Sequence, residues 1–345
     1  MVENFFLGLI MGTYIYSFLK PYEAARLSGK SIDHVKNYFK DNNKIKKINS
    51  KIIEINPESA EDYFKSAGLD SIYKPSISLF ANLCGGVGKT SGVSNVSAAV
   101  RRIVGRDTPV ILIDGDSQAS LTNVIFGREA DEDQDILLDF FEKRSVKIDD
   151  ILTEINDNVW VIKSNLNQIW IDKCLVKPKH IKKGMLTLYE DIFKKFEGKN
   201  VKIFQDHTPQ LSNLFASSVS ALYSLPSGIN KSVLIPMRSD NVAINGANYI
   251  IKEIRDLCDT FNHSYEDVNI CCYFSNIDKR VKTTKIAIES LKEKGDVYRH
   301  VISPMIRTCS KVTQSTMSQN NVYSTKYKSS AREDYLDLVK YLFIK

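Results

Sequence analysis

The chain has 345 residues, 43% of them hydrophobic, enough for one large domain and a smaller one around a buried core. Its six cysteines (Cys84, Cys174, Cys258, Cys271, Cys272, Cys309) are scattered, with no CxxC pair or Cys/His cluster at metal spacing. That argues against a disulfide scaffold or a structural zinc site, and for free thiols in a reducing cytoplasm. The net charge of +6 is concentrated early: residues 20–51 hold nine Lys/Arg against three Asp/Glu, a surplus of six. A segment of that kind suits an anionic partner such as DNA, or else is a solvated surface.

Taken in chain order, the first segment, Phe5 to Leu19, is uncharged. Its 15 residues fall short of a membrane span, which needs roughly 20. Glu3 stands where a signal peptide would be basic, and no A-x-A site follows. The segment therefore reads as a buried or dimer-forming helix.

Residues 1–73 are helical in pattern and form the first expected unit. Pro21 to Ser28 reads as a helix, Gly29 as a turn and Ile32 to Lys40 as a second helix, with Ser31 as its N-cap. Ala24-Ala25 allows the two helices to approach closely. The second helix presents Lys30, Asp33, His34, Lys36, Asn37 and Lys40, a face that can lie in a DNA major groove with lysines on the flanking phosphates. Lys44, Lys46, Lys47 and Lys51 extend it. The alternative is an ordinary basic helical hairpin.

The pattern changes near Lys74-Pro75, and residues 76–345 form the second expected unit. Short apolar runs at 77–83, 110–113, 159–162, 201–204, 232–235 and 269–274 alternate with helical stretches at 90–104, 242–258, 284–294 and 331–343. Such alternation predicts an α/β fold, a doubly wound and mostly parallel sheet with helices on both faces. Glu129 to Asp135 holds five acids in seven residues and reads as a solvated loop.

The most informative stretch is Cys84-Gly85-Gly86-Val87-Gly88-Lys89-Thr90-Ser91, between a predicted strand and a predicted helix. Glycines let successive backbone N–H groups point at a phosphate, and the helix N-terminus adds its positive end. Lys89 can neutralise the terminal phosphates and Thr90 can hold Mg²⁺. After the next strand comes Asp114-Gly115-Asp116-Ser117-Gln118. A third strand ends in Gln205-Asp206-His207-Thr208-Pro209, placing Asp206 at the sheet edge where ligands bind. His207 beside it reads as incidental.

These three motifs resemble the ParA family of partition ATPases, whose phosphate loop is written KGGxGK[ST] and whose second box is D-x-D-P-Q. The resemblance covers about residues 76–343, and the glycine-rich turn is its most specific part. Ile235-Pro236 with Ala243 and Gly246 matches the family's I-P-x(6)-A-x-x-G. Ser303-Pro304-Met305-Ile306-Arg307 falls where the family has its segment near the adenine. The order Asn276-Ile277-Asp278-Lys279 is not the N-K-x-D of a GTPase, which favours ATP. One position departs: the family's extra lysine, which reaches a partner subunit's phosphates, falls on Cys84.

The resemblance implies a Mg²⁺-dependent ATPase, slow and partner-stimulated. Gly85, Gly86, Val87, Gly88, Lys89, Thr90, Ser91 and Pro304 are then expected to bind ATP. Thr90, Asp114 and Asp206 are expected to hold Mg²⁺, and Asp116, with Lys89, to carry catalysis. The larger members, with a helix-turn-helix before the ATPase domain, imply a homodimer or higher assembly on the nucleoid. They also imply operator binding by residues 1–73, a ParB-like centromere-binding partner, and no membrane. Lys279, Arg280, Lys282, Arg307, Lys311, Lys326 and Lys328 are expected to meet DNA without sequence preference. The rival expectations are a degenerate, non-hydrolysing DNA regulator and a MinD-like membrane positioning ATPase. The latter needs the amphipathic 333–345 stretch to lie on a membrane; packing onto the sheet is the simpler expectation.

Overall fold

The structure, a computed structural model, describes residues 18–40, 45–49, 51–278, 280–293, 295–324 and 329–344. Residues 1–17, with most of the early apolar segment, and Lys44, Lys279, Lys326 and Lys328 lie outside the described residues, as does the Lys282 side chain. Among the described residues, no helix is long and apolar enough to cross a membrane.

Two short helices come first, α1 (Pro21–Ser28) and α2 (Ile32–Tyr38). Gly29 makes the turn between them in the left-handed region at φ 71°, and the Ser31 side chain accepts from His34 N at 3.1 Å as the N-cap. Ala24 and Ala25 are buried. The purely helical expectation for residues 1–73 then fails. An antiparallel hairpin, β1 (Ile45–Ile48) and β2 (Lys51–Ile55), precedes α3 (Pro57–Ser66).

Seven strands form the main sheet: β3 (Ser76–Phe80), β4 (Val110–Gly115), β5 (Leu152–Asn156), β6 (Val159–Ile162), β7 (Lys202–His207), β8 (Asn230–Met237) and β9 (Asn269–Phe274). Their order is β5-β6-β4-β7-β3-β8-β9, parallel except for the edge strand β5, which the sequence reading lacked. In β4, Ile111 and Ile113 belong to one face's core and Val110 and Leu112 to the other's, all fully buried. A strand covered on both faces needs no polar side, so it reads as an unbroken apolar run.

The first face is covered by α6 (Pro178–Lys195), α7 (Asn213–Ser224) and α8 (Asn241–Phe261), through Met185, Leu188, Val219 and Ile244 among others. The second is covered by α4 (Lys89–Arg101), α5 (Ser120–Phe126) and α9 (Ser330–Val339). Tyr335, Leu336, Leu338 and Val339 of α9 are buried, so the C-terminal amphipathic pattern is explained by packing onto the sheet.

Residues 19–73 join this second face. Leu19, Leu27, Val35, Phe39, Tyr63 and Phe64 share one core with Phe80, Val96, Tyr273 and Tyr335. Each such Leu or Phe stabilises the join by about 1.5–3 kcal/mol. An ion cluster pins it further. Glu23 of α1 accepts from Arg102 Nη2 at 2.6 Å and from Arg332 Nη2 at 2.9 Å. All three side chains are at most 3% exposed. The Tyr323 ring lies 4.8 Å from the Arg102 guanidinium and 5.4 Å from that of Arg332. Burial alone would raise the Glu23 carboxyl, but the two guanidiniums outweigh it and hold the group below the usual carboxylate range. At the surface, Arg26 clasps Asp337 of α9 with two bonds of 2.6 and 2.7 Å.

Candidate functional site

The motifs far apart in sequence meet at the C-terminal edge of β3, β4, β7 and β8. The turn after β3 carries Gly85, Gly86, Val87 and Gly88, and α4 begins at Lys89. Gly88 sits at φ 94°, and a Cβ there would fall 2.7 Å from Ser275 Oγ, so no other residue fits without displacement. Asn82 fastens the turn from below. Its Nδ2 donates to Pro236 O at 2.8 Å and Ala243 O at 3.1 Å, while its Oδ1 accepts from Cys84 N at 2.9 Å. A Cβ on Gly246 would meet Asn82 Oδ1 at 2.4 Å. The Ala243 and Gly246 pattern therefore exists to let α8 approach the turn.

Lys89 is buried at 7% exposure, and its Nζ donates to Cys84 O at 3.3 Å. Burial lowers its pKa, which the nearby Asp206 and Asp116 charges oppose. Thr90 Oγ1 donates to Asp206 Oδ2 at 2.5 Å. The other Asp206 oxygen is buried without a hydrogen-bond partner. Burial first, then the Asp114 charge in the adjacent strand, pushes the Asp206 carboxyl up to about 8. A carboxyl, a hydroxyl and an orphaned oxygen in one dry corner are a donor set suited to a hydrated Mg²⁺, whose charge would restore the carboxylate.

Asp116 is nearly buried. It accepts from Gln118 N at 3.0 Å and Ser120 Oγ at 3.0 Å, so its carboxylate is fixed at the loop's mouth. Asp114 has a different task. Both its oxygens are taken, one by Asp116 N at 3.1 Å, the other by Thr122 N and Oγ1 at 2.7 Å each. It braces the Asp116 loop, and burial pushes it up to about 6. His207 is fully buried, with neither ring nitrogen partnered. Burial lowers it to about 3, so it is neutral, with its ring edge-on to Phe215 at 5.3 Å.

A cavity of about 380 Å³ opens beside the turn, lined by Gly86, Gly88, Ser91, Asn276, Thr308 and Cys309, with Tyr335 at its inner wall. Pro304, expected here, does not line it; the same segment contributes Ile306 to Ser310 instead. Arg307 also lines the cavity. It is bound to Asp334 by Nη2 at 2.6 Å and by Nε at 3.0 Å, and its side chain stays 37% exposed. Arg280 is exposed but paired with Asp278, and Lys311 is half-buried beside Gln314. On α2 and just beyond its ends, Lys30, His34, Lys36, Asn37 and Lys40 are all exposed.

The sequence reading missed Asn82 and Arg238. Arg238 stands just past β8 with Nη2 3.5 Å from Cys84 Sγ. A cation following a buried strand at the ligand edge of a parallel sheet was the available signal.

The model of the AAA_31 family, described as an AAA domain, matches residues 76–266, more than half of the chain. The chain belongs to the AAA_31 family. The chain is similar in fold to apo McdA from Cyanothece, with a TM-score of 0.60, 16% identity, and coverage of 76% of this chain and 98% of that one. The cobyrinic acid a,c-diamide synthase of Mycobacterium smegmatis, solved with a bound ATP analogue and magnesium, gives 0.58, 18%, 77% and 92%. A putative plasmid partition protein of Borrelia burgdorferi B31 bound to AMPPNP gives 0.56, 18%, 77% and 98%. No curated protein sequence matches. The α/β fold expected from the motifs is the fold of these solved structures.

Proposed function

We propose that this chain is an ATP-dependent DNA partition protein. The observation that carries the reading is the corner where Lys89, Thr90, Asp206 and Asp116 converge on the phosphate turn in an AAA_31 domain. The backbone from Gly85 to Ser91 and the Lys89 ammonium bind the polyphosphate. The cavity beside it receives the adenine. Thr90 and Asp206 hold Mg²⁺, which supplies charge neutralisation at the terminal phosphates. Asp116 orients the attacking water, and Asp114 keeps Asp116 in place.

The nucleotide acts as a switch between two states. The ATP form dimerises and coats nucleoid DNA. A ParB-like protein on a centromere-like site stimulates hydrolysis, and the ADP form leaves. Exposed lysines of α2 support DNA binding, and the hairpin adds Lys46, Lys47 and Lys51, all exposed. Lys47 Nζ donates to Lys40 O at 2.7 Å, which ties the hairpin to the end of α2. Operon autorepression through this face belongs to the same reading.

Calorimetry with Mg·ATP on the pure chain tests the first step. Binding with a stoichiometry of about one per chain is expected; no heat of binding overturns the switch. ATPase assays with DNA and the adjacent-gene partner test the second. Cys84 favours one other reading, a nucleotide-binding regulator without turnover, and binding without hydrolysis in that assay would select it.

A further inference from the structure

The ParA-type turn carries a lysine ahead of its paired glycines, and here that position is Cys84. A cation nevertheless stands beside Cys84. Arg238 Nη2 lies 3.5 Å from Cys84 Sγ, and its Nη1 lies 3.4 Å from Gly85 O. The same Nη1 would be 3.4 Å from a Cβ built on Gly86. Its Nε donates to Asp240 Oδ2 at 2.8 Å, and Asp240 Oδ1 caps α8 by accepting from Ala243 N at 2.9 Å.

The guanidinium is therefore aimed by a carboxylate that is itself fixed, while its side chain stays 38% exposed on the open side of the turn. A Cβ built on Gly85 would meet nothing within 4 Å, so that side of the turn is open. Lys89 approaches the loop from its buried side and Arg238 from its solvent side. The Arg238 contacts to Cys84 and Gly85 are longer than a good charged hydrogen bond, whereas the one to Asp240 is not. The Nη donors are thus the ones available to exchange for phosphate oxygens, with Asp240 kept as the anchor.

We propose that Arg238 is the second polyphosphate-binding cation of this site, supplied from the end of β8 in place of the turn's lysine. The proposal rests on the ATP-binding reading above. A planar guanidinium with parallel donors suits the oxygens of a terminal phosphate, and it keeps its charge at every physiological pH. Because it stands at the outer lip, it discriminates the triphosphate from the diphosphate.

The test relocates the charge. Calorimetry with Mg·AMPPNP and with Mg·ADP compares the wild-type full chain, Arg238→Gln, and the double variant Arg238→Gln with Cys84→Lys. Thermal melts check that each is folded. Loss of a charged hydrogen-bonding group predicts that Arg238→Gln weakens AMPPNP by about ten-fold or more and ADP by less than about three-fold. The added lysine of the double variant is expected to recover most of the AMPPNP loss. A folded Arg238→Gln that binds AMPPNP like wild type overturns the assignment, and so does an equal loss for both nucleotides with no recovery. Failure of the wild type to bind either nucleotide is a separate result, and it removes the ATP reading itself.

Discussion

Two clusters of buried charge sit at opposite ends of α4, and they are built on opposite principles. At its C-terminal end, Glu23 is bracketed by Arg102 and Arg332, with every carboxylate oxygen bonded and an aromatic ring on the cations. Its charges are settled and the carboxyl is shifted down. At the N-terminal end, Lys89 and Asp206 are both pushed toward their neutral forms, and one Asp206 oxygen has no partner. The contrast teaches that burial of charge does not by itself mark a functional site. The difference lies in the carboxylates: both Glu23 oxygens are bonded by guanidiniums, whereas one Asp206 oxygen is buried without a partner.

Five substitutions break or sharpen that contrast. Lys89→Ala removes the buried ammonium that faces the phosphates, and the expected outcome is loss of measurable Mg·ATP binding by calorimetry with the fold intact. Glu23→Gln strands two buried guanidiniums, and breaking such a cluster costs about 3–5 kcal/mol. Urea unfolding is expected to show that loss; an unchanged midpoint would mean the cluster is idle. Asp116→Ala keeps nucleotide binding while slowing partner-stimulated turnover by about 10²-fold, the scale of a lost general-base or water-orienting group. Wild-type turnover in that variant would remove Asp116 from catalysis.

Asp206→Asn probes the unfinished cluster through pH. The folded chain keeps the Asp206 proton up to about pH 8, whereas an ordinary Asp side chain releases it near 3.8. The folded state thus binds the extra proton between those values, and its stability falls as pH rises through them. Asparagine carries no such penalty. Its advantage in the nucleotide-free melting temperature is expected to grow toward pH 8.5 and to vanish near pH 4. A constant difference across that range would show that the carboxyl is not the titrating group. The smallest effect belongs to the exposed basic face. Lys36→Ala is expected to lower the salt slope of DNA binding by about one while leaving the nucleotide site untouched.

What was legible in the sequence follows from how local each signal is. β4 and β9 were legible because burial on both faces leaves uninterrupted apolar runs, Val110–Ile113 and Ile270–Phe274. The phosphate turn was legible because its glycines, Lys89 and Thr90 are contiguous. The hairpin was not: Lys46, Lys47, Ile48 and Lys51 are exposed, so its short strands carry no apolar stripe. The edge strand β5 is only partly covered and equally silent. Glu23 looked like one more surface acid on a basic helix, because its partners are 79 and 309 residues away. Arg238 escaped for the same reason, being 154 residues from Cys84. Pro304 was chosen by motif position, but the cavity wall is made by the residues just after it.

The shared core of residues 19–73 and the sheet has a practical consequence for anyone wishing to cut this protein into pieces. A cassette starting at residue 74 would lay bare Phe80, Tyr273 and Tyr335 and abandon Arg102 and Arg332 in a dry pocket without their counter-ion. The basic front end is thus no detachable adaptor. It is upholstery for the sheet's own frame, and grafting it elsewhere means carrying α4 and α9 along with it.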